Sequence, residues 1–189
     1  MNVILTDDPL RAKMLCAHHL ENAVAVRENE GSFAYMGSYK NASIILISSG
    51  YGDEALLASL CDIKRLGAER LIYLGECTSD TRHYALRSVI LAEGGDRSLL
   101  SKANRAAARY TIPVFVHPVC TPGDTTAECC GITDSATGTV YGYTLKNSLA
   151  ALSVLTVSLN TERNEQMEQH ERSSRLYAAA LLVFETLAI

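Results

Sequence analysis

An α/β sandwich around a mixed, largely parallel sheet is the fold class this sequence predicts, on three observations. Apolar strand runs alternate with helical patterns along the whole chain, an order that covers both faces of a sheet with helices. Residues 43–48 are nearly all apolar, as a buried strand is, and 152–158 are strongly apolar. The chain has 189 residues, 48% of them hydrophobic, a size at which roughly 70% of the unfolded surface can be buried. No repeat, low-complexity tract or linker divides it, so one domain over residues 1–189 is expected.

The elements follow in order. Residues 3–5 open as a strand and meet Thr6-Asp7-Asp8-Pro9, where Asp8 suits an N-cap and Pro9 the first helical position; residues 10–20 then read as helix. Residues 23–27, 32–40 and 43–48 read as consecutive strands. After Ser49-Gly50-Tyr51-Gly52, Asp53 is expected to cap a helix with Glu54 in its first turn. Leu56, Leu60 and Ile63 share one face of it, and Gly67 ends it. Residues 70–74 form a strand ending in Gly75-Glu76-Cys77-Thr78-Ser79, and 88–92 another. Residues 98–110 are an Ala-rich helix, and 113–119 a strand. Residues 121–138, rich in Thr, Gly and Cys, read as loop, 140–149 as helix and 152–158 as strand. From Glu165 to the end a single helix is expected, with Leu176, Ala180, Val183 and Leu187 on one stripe.

Composition excludes several classes. A net charge of −4 and a pI of about 5.7 argue against nucleic acid as a partner, since such proteins carry a basic patch. No apolar run reaches the roughly 18 residues of a membrane span, and no basic-then-apolar signal precedes the first strand, so no membrane partner and a cytoplasmic location are expected. Six cysteines are too few for a disulfide scaffold, which fits a reducing compartment. None falls in a CxxC pair, and the neighbours Cys129 and Cys130 are poorly placed to bridge each other. His18, His19, His83, His117 and His170 show no HExxH spacing, so neither a metal nor another cofactor is expected.

In parallel sheets, ligands bind beyond the carboxyl ends of strands. Four junctions meet that description: residues 6–11, 48–52, 75–79 and 158–160. Backbone amides at the helix starts that follow can hold an anion. Any one of these is an ordinary turn; four together point to a crevice, though not to a particular ligand.

At these junctions the chain resembles the nucleoside phosphorylases, the purine nucleoside and uridine phosphorylase family. Asp8-Pro9-Leu10-Arg11-Ala12-Lys13 is similar to the family's GDPxRA phosphate motif, and Gly37-Ser38-Tyr39-Lys40 to its GTYKG hairpin end. Ser49-Gly50-Tyr51-Gly52 stands where the family has HGMG, and Leu74-Gly75-Glu76-Cys77-Thr78 where it has GSCG after an arginine. Leu155-Thr156-Val157-Ser158 resembles TVSD, and Glu171-Arg172 the closing EER segment. The resemblance spans most of the chain, which is shorter than the family's usual length around residues 94–96 and 121–134. It implies a three-layer nucleoside phosphorylase-like fold and assembly as a homo-oligomer, a dimer or a ring of dimers. It also implies a crevice for a nucleoside or base together with phosphate, which attacks the sugar as the base leaves.

By the same resemblance, Arg11, Gly50 and Thr78 fall at phosphate-binding positions. Asp7, Gly52, Gly75, Glu76, Cys77, Asp134, Ser158 and Asn160 fall along the substrate crevice. A guanidinium suits bidentate phosphate contacts. The departures are chemical. Asp7 replaces a glycine, Tyr73 an arginine, Glu76 a serine, and Glu30 the arginine that the family lends from a neighbouring subunit. Ala136 stands where a glutamate grips the ribose, with Asp134 beside it, and Leu159 where an aspartate protonates the departing purine. Asp7 and Glu76 are expected to pair with Arg11 and close the site. No catalytic residue is assigned. Two functions stay open: a divergent enzyme that cleaves the N-glycosidic bond with phosphate or with water, and a degenerate paralogue that binds a nucleoside, a base or a partner subunit.

Overall fold

The structure, a computed structural model, describes residues 1–29, 31–122, 131–174 and 176–189. Strand β1 (Asn2–Thr6) leads into helix α1 (Pro9–His19), whose N-cap Asp8 accepts from the backbone N–H of Leu10 and Arg11. Then come β2 (Glu21–Asn29), β3 (Ser32–Tyr39), β4 (Ala42–Ser48), α2 (Asp53–Arg65) and β5 (Arg70–Ser79). The second half holds β6 (Val89–Ala92), α3 (Arg97–Tyr110), β7 (Val114–His117), β8 (Ile132–Thr133) and α4 (Ser135–Lys146). The chain closes with β9 (Ala150–Asn160), β10 (Glu165–Gln166), α5 (Gln169–Ser174) and α6 (Tyr177–Ala188).

The described strands form one sheet in the order β2-β3-β4-β1-β5-β9-β6-β7, with β8 on β5 and β10 on β9. β4, β1, β5 and β9 run parallel to one another, so their carboxyl ends share one edge. β2, β3 and β4 form an antiparallel meander, and β6 is antiparallel to β9. Side chains alternate across the sheet. Ile4, Leu46, Ile72, Leu74 and Val154 pack toward α1, α3 and α6, whereas Val3, Leu5, Leu71, Tyr73, Leu155 and Val157 pack toward α2 and α4. Two cores on opposite faces make the three layers. No helix among the described residues is long and apolar enough to cross a membrane.

Four expectations are corrected. β5 does not stop at Leu74: it continues through Gly75↔Leu155, Glu76↔Thr156 and Cys77↔Val157 against β9, because the partner strand supplies a ladder that Gly75 does not interrupt. Asp53 is not a cap; Gly52, at φ 100°, holds that position without a side-chain bond, and Asp53 begins the helix. The expected loop holds β8 and the start of α4, for Asp134 caps a helix at Ser135. The expected terminal helix is broken. Glu165 and Gln166 pair back onto Asn160 and Leu159 before α5 and α6 begin. Cys16, Cys61 and Cys77 are free thiols, while Cys120 is disulfide-bonded, which the cysteine spacing did not suggest. Glu30, Cys129 and Cys130 lie outside the described residues.

One packing detail shapes the crevice. Tyr73 and Gly75, two apart on β5, share the α2/α4 face. A Cβ at position 75 would lie 2.4 Å from Tyr73 Cε1 and 2.6 Å from its hydroxyl, so the bare glycine lets the buried phenol lie along the strand. Gly75→Ala should destabilise the protein by about 1–3 kcal/mol in urea unfolding, and most of that cost should vanish on a Tyr73→Ala background, where the clash is gone.

Candidate functional site

The shared edge of β4, β1, β5 and β9 carries two small chambers that meet at Asp7 and Tyr51. The first, of about 250 Å³, is walled by Asp7, Asp8, Arg11, Tyr51, Glu76, Gln169 and Arg172. It opens on the α1 side of the sheet. The second, of about 160 Å³, lies on the α2/α4 side and includes Ser49, Gly50, Gly52, Asp53, Tyr73 and Asp134.

Arg11 governs the first chamber. The Asp8 cap and Pro9 start α1 so that Arg11, Ala12 and Leu15 turn inward, and Arg11 is only 2% exposed. Its Nη1 donates to Thr6 Oγ1 at 3.0 Å and to Asp7 Oδ1 at 2.9 Å. Its Nη2 donates to Glu76 Oε1 and, at 3.4 Å, to the carbonyl of Arg172. Only Nε is left without a partner among the described residues. Glu76, 12% exposed, is held from its other side by Arg172 Nε, 2.5 Å from Oε2. Glu76 faces Arg11 because β5 keeps its two-residue alternation past Leu74. The expected pairing of Asp7 and Glu76 with Arg11 is therefore present, and no Nη hydrogen remains free for an outside anion. Two like charges 4 Å apart cost about 4 kcal/mol at an effective dielectric near 20, so a phosphate here must first displace a carboxylate.

In the second chamber, Gly50 and Gly52 form the turn at positive φ, 80° and 100°. Asp134 caps α4 through Ala136 N at 3.2 Å, Thr137 N at 2.8 Å and Thr137 Oγ1 at 2.6 Å. Burial pushes its carboxyl above the usual range, against the pull of those bonds. Ala136 lines the same wall and offers no acceptor. The phenol of Tyr51 is raised by burial and by the Asp8 and Asp7 carboxylates beside it.

Other expected crevice residues lie elsewhere. Cys77 is packed in the α2/α4 core, and burial drives its thiol far above the reactive range. Gly75 serves the Tyr73 ring. Thr78 pairs with Thr133 of β8 and lines neither chamber. Ser158 is buried, its carbonyl accepting from Met167 N at 2.8 Å. Asn160 is a structural clamp: its Nδ2 donates to the carbonyls of Thr81 and Tyr84 at 2.8 and 2.6 Å, and its Oδ1 accepts from Arg163 N. Among the described residues no group of His, Cys, Asp and Glu could hold a metal ion.

Comparison with known proteins shows what the chain is similar to. No family model matches the chain. It is 27% identical to a DeoD-type purine nucleoside phosphorylase of Bacillus velezensis over 98% of this chain and 94% of that one. It is 28% identical to its counterpart in Bacillus subtilis over 93% and 88%. A crystal structure of purine nucleoside phosphorylase from Toxoplasma gondii in complex with immucillin-H superimposes with a TM-score of 0.86, at 16% identity, covering 98% of this chain and 89% of that one. The chain is similar over nearly its full length to purine nucleoside phosphorylases. Arg172 was visible only as part of a motif; its ion pair with Glu76 joins residues far apart in sequence. Tyr51 and Gln169 carried no sequence signal beyond their neighbourhood.

Two outcomes test this electrostatic frame. Glu76→Gln strips one partner from a buried charge and should cost about 3 kcal/mol in urea unfolding, whereas Asp62→Asn, at the exposed pairs with Arg27 and Arg65, should cost under about 1 kcal/mol. For Asp134, the folded state holds a proton more tightly than the unfolded chain. Its contribution to stability therefore falls as pH rises from about 4 through the raised value. Asp134→Asn keeps the cap and should gain on the wild type across that window in melting scans against pH.

Proposed function

We propose that this chain is a nucleoside-handling protein of the phosphorylase lineage that binds a nucleoside or free base and leaves the glycosidic bond intact. One observation carries the reading: both Nη groups of the Arg11 guanidinium, at the phosphate-binding position, are taken by Asp7, Glu76, Thr6 and the Arg172 carbonyl. Phosphorolysis needs an oxyanion held against the sugar, and here the cation that would hold it is already neutralised inside the chain. Leu159, in place of the aspartate, and Ala136, in place of the glutamate, offer no proton donor for the base and no grip on the ribose.

Phosphorolysis is the second reading. It is favoured by Arg11 itself, which stands at the wall of a 250 Å³ chamber in a chain related over nearly its full length to phosphorylases. The lineage further supports assembly with a second copy. The edge strand β2 and its neighbour β3 leave Val24, Val26 and Met36 exposed, an apolar edge of the kind that proteins cover.

The deciding experiment follows base release from a panel of purine and pyrimidine nucleosides with and without phosphate, alongside thermal shifts. The expected result is no phosphate-dependent release, with a nucleoside or base raising Tm; a ligand at 100 times its Kd stabilises by about 2.7 kcal/mol. Asp7→Gly with Glu76→Ser should free the guanidinium and let phosphate raise Tm where it does not in the wild type. Phosphate-dependent turnover that Arg11→Ala abolishes would establish the second reading instead.

A further inference from the structure

The second chamber has a polar group, the Tyr73 hydroxyl, that neither reading uses. Tyr73 lines it, is 1% exposed, and makes no hydrogen bond through its hydroxyl among the described residues. The hydroxyl is not one of the buried side-chain atoms left without a partner; it is reached from the chamber, where an occupant can bond it. Asp7, Asp53 and Asp134 line the same space, and no lysine or arginine does. Two helix N-termini, of α2 and α4, add roughly half a positive charge each. Asp53 and Glu54 in the first turn of α2, and the Asp134 cap on α4, more than offset them. The Asp7 carboxylate bonds Arg11 through Oδ1 alone and is 35% exposed. Arg11 is shared with Glu76, which Arg172 also holds, so these four groups sum to zero and the negative balance in the chamber comes from Asp53, Glu54 and Asp134. The phenol of Tyr73 is raised first by burial and next by Asp7 and Asp134, which agrees in sign. Leu56 and Ala136 give an apolar wall. The volume, about 160 Å³, exceeds a bare ion and falls short of the roughly 300 Å³ at which drug-sized pockets begin.

We propose that this chamber is a binding site for a small alkylammonium ion, whose N–H groups donate to the second oxygen of Asp7 and to the Tyr73 phenol oxygen while its carbon stem packs on Leu56 and Ala136. A cation satisfies the carboxylate excess and the unpaired hydroxyl together. An anion meets three carboxylates, and a neutral alcohol leaves the excess charge in place. The inference goes beyond the nucleoside reading and does not rest on it.

The test uses n-propylammonium chloride as probe, against n-propanol, sodium propionate and potassium chloride at matched ionic strength, read by saturation-transfer NMR and thermal shift on the full chain. Propylammonium is expected to bind and the other three are not. Tyr73→Phe keeps the ring and removes the hydroxyl, so it should fold with an unchanged Tm and bind the probe about tenfold more weakly, the loss of one hydrogen bond to a charged group. Binding of propanol, propionate or potassium as strong as that of propylammonium would overturn the proposal. So would an unaltered affinity in Tyr73→Phe, or no binding of the amine. If the amine binds as described and no nucleoside or base does, the nucleoside reading alone falls.

Discussion

A guanidinium sealed from water just beyond the end of β1 constrains everything near it. The effective cost of taking one ion out of water is several kcal/mol, and only close counter-charges with good geometry offset it. Arg11 sits there because Asp8 and Pro9 set the phase of α1. Given that position, Asp7 and Glu76 become structural partners as much as site residues. Glu76 in turn needs Arg172, so α5 is drawn onto the crevice by a charge on β5. The chain of dependence runs from a helix cap to a strand to the closing helices, and each link is an ion pair or a capped N–H.

Sheet geometry decides which side of the crevice each substitution affects. The two-residue alternation of β5 sends Glu76 to the α1 face and Tyr73 to the α2/α4 face. One strand thereby closes the first chamber with a carboxylate and furnishes the second with a phenol. Gly75 makes the second arrangement possible, because any side chain there would occupy the space of the ring. Tyr73 and Gly75 work as a pair, and the meaning of either residue is incomplete without the other.

The sequence showed this architecture where its signals were local. Apolar runs located β1, β4 and β9, Asp8-Pro9 located the start of α1, and the alternation of strand and helix gave the layers. Signals failed where distant partners decide. Gly75 to Ser79 looked like a turn, yet ten residues of β9 pair along β5 and hold it extended. The terminal segment looked like one helix, yet two residues of it prefer the free edge offered by β9. Asn160 looked like a crevice residue, but its amide is consumed by the carbonyls of Thr81 and Tyr84, contacts set by a loop that periodicity cannot place. In the site, the charges were legible and their pairing with Arg11 followed from Coulomb's law. The unpaired Tyr73 hydroxyl was not, because only the folded chain shows which hydroxyls find partners.

The distinction between losing a cation and acquiring an anion matters for how such a crevice behaves. A site that merely lost charge would keep Arg11 waiting for an outside anion, and its folding would be linked to that ligand. Here the counter-charges are covalent parts of the chain. Their effective concentration around Arg11 is fixed by the backbone at 2.9 Å for Asp7 and does not depend on solution phosphate. The fold thus completes internally what a ligand would otherwise complete. The crevice is stabilised in its closed, internally paired form, and any chemistry that begins with an oxyanion on Arg11 must first take that pairing apart.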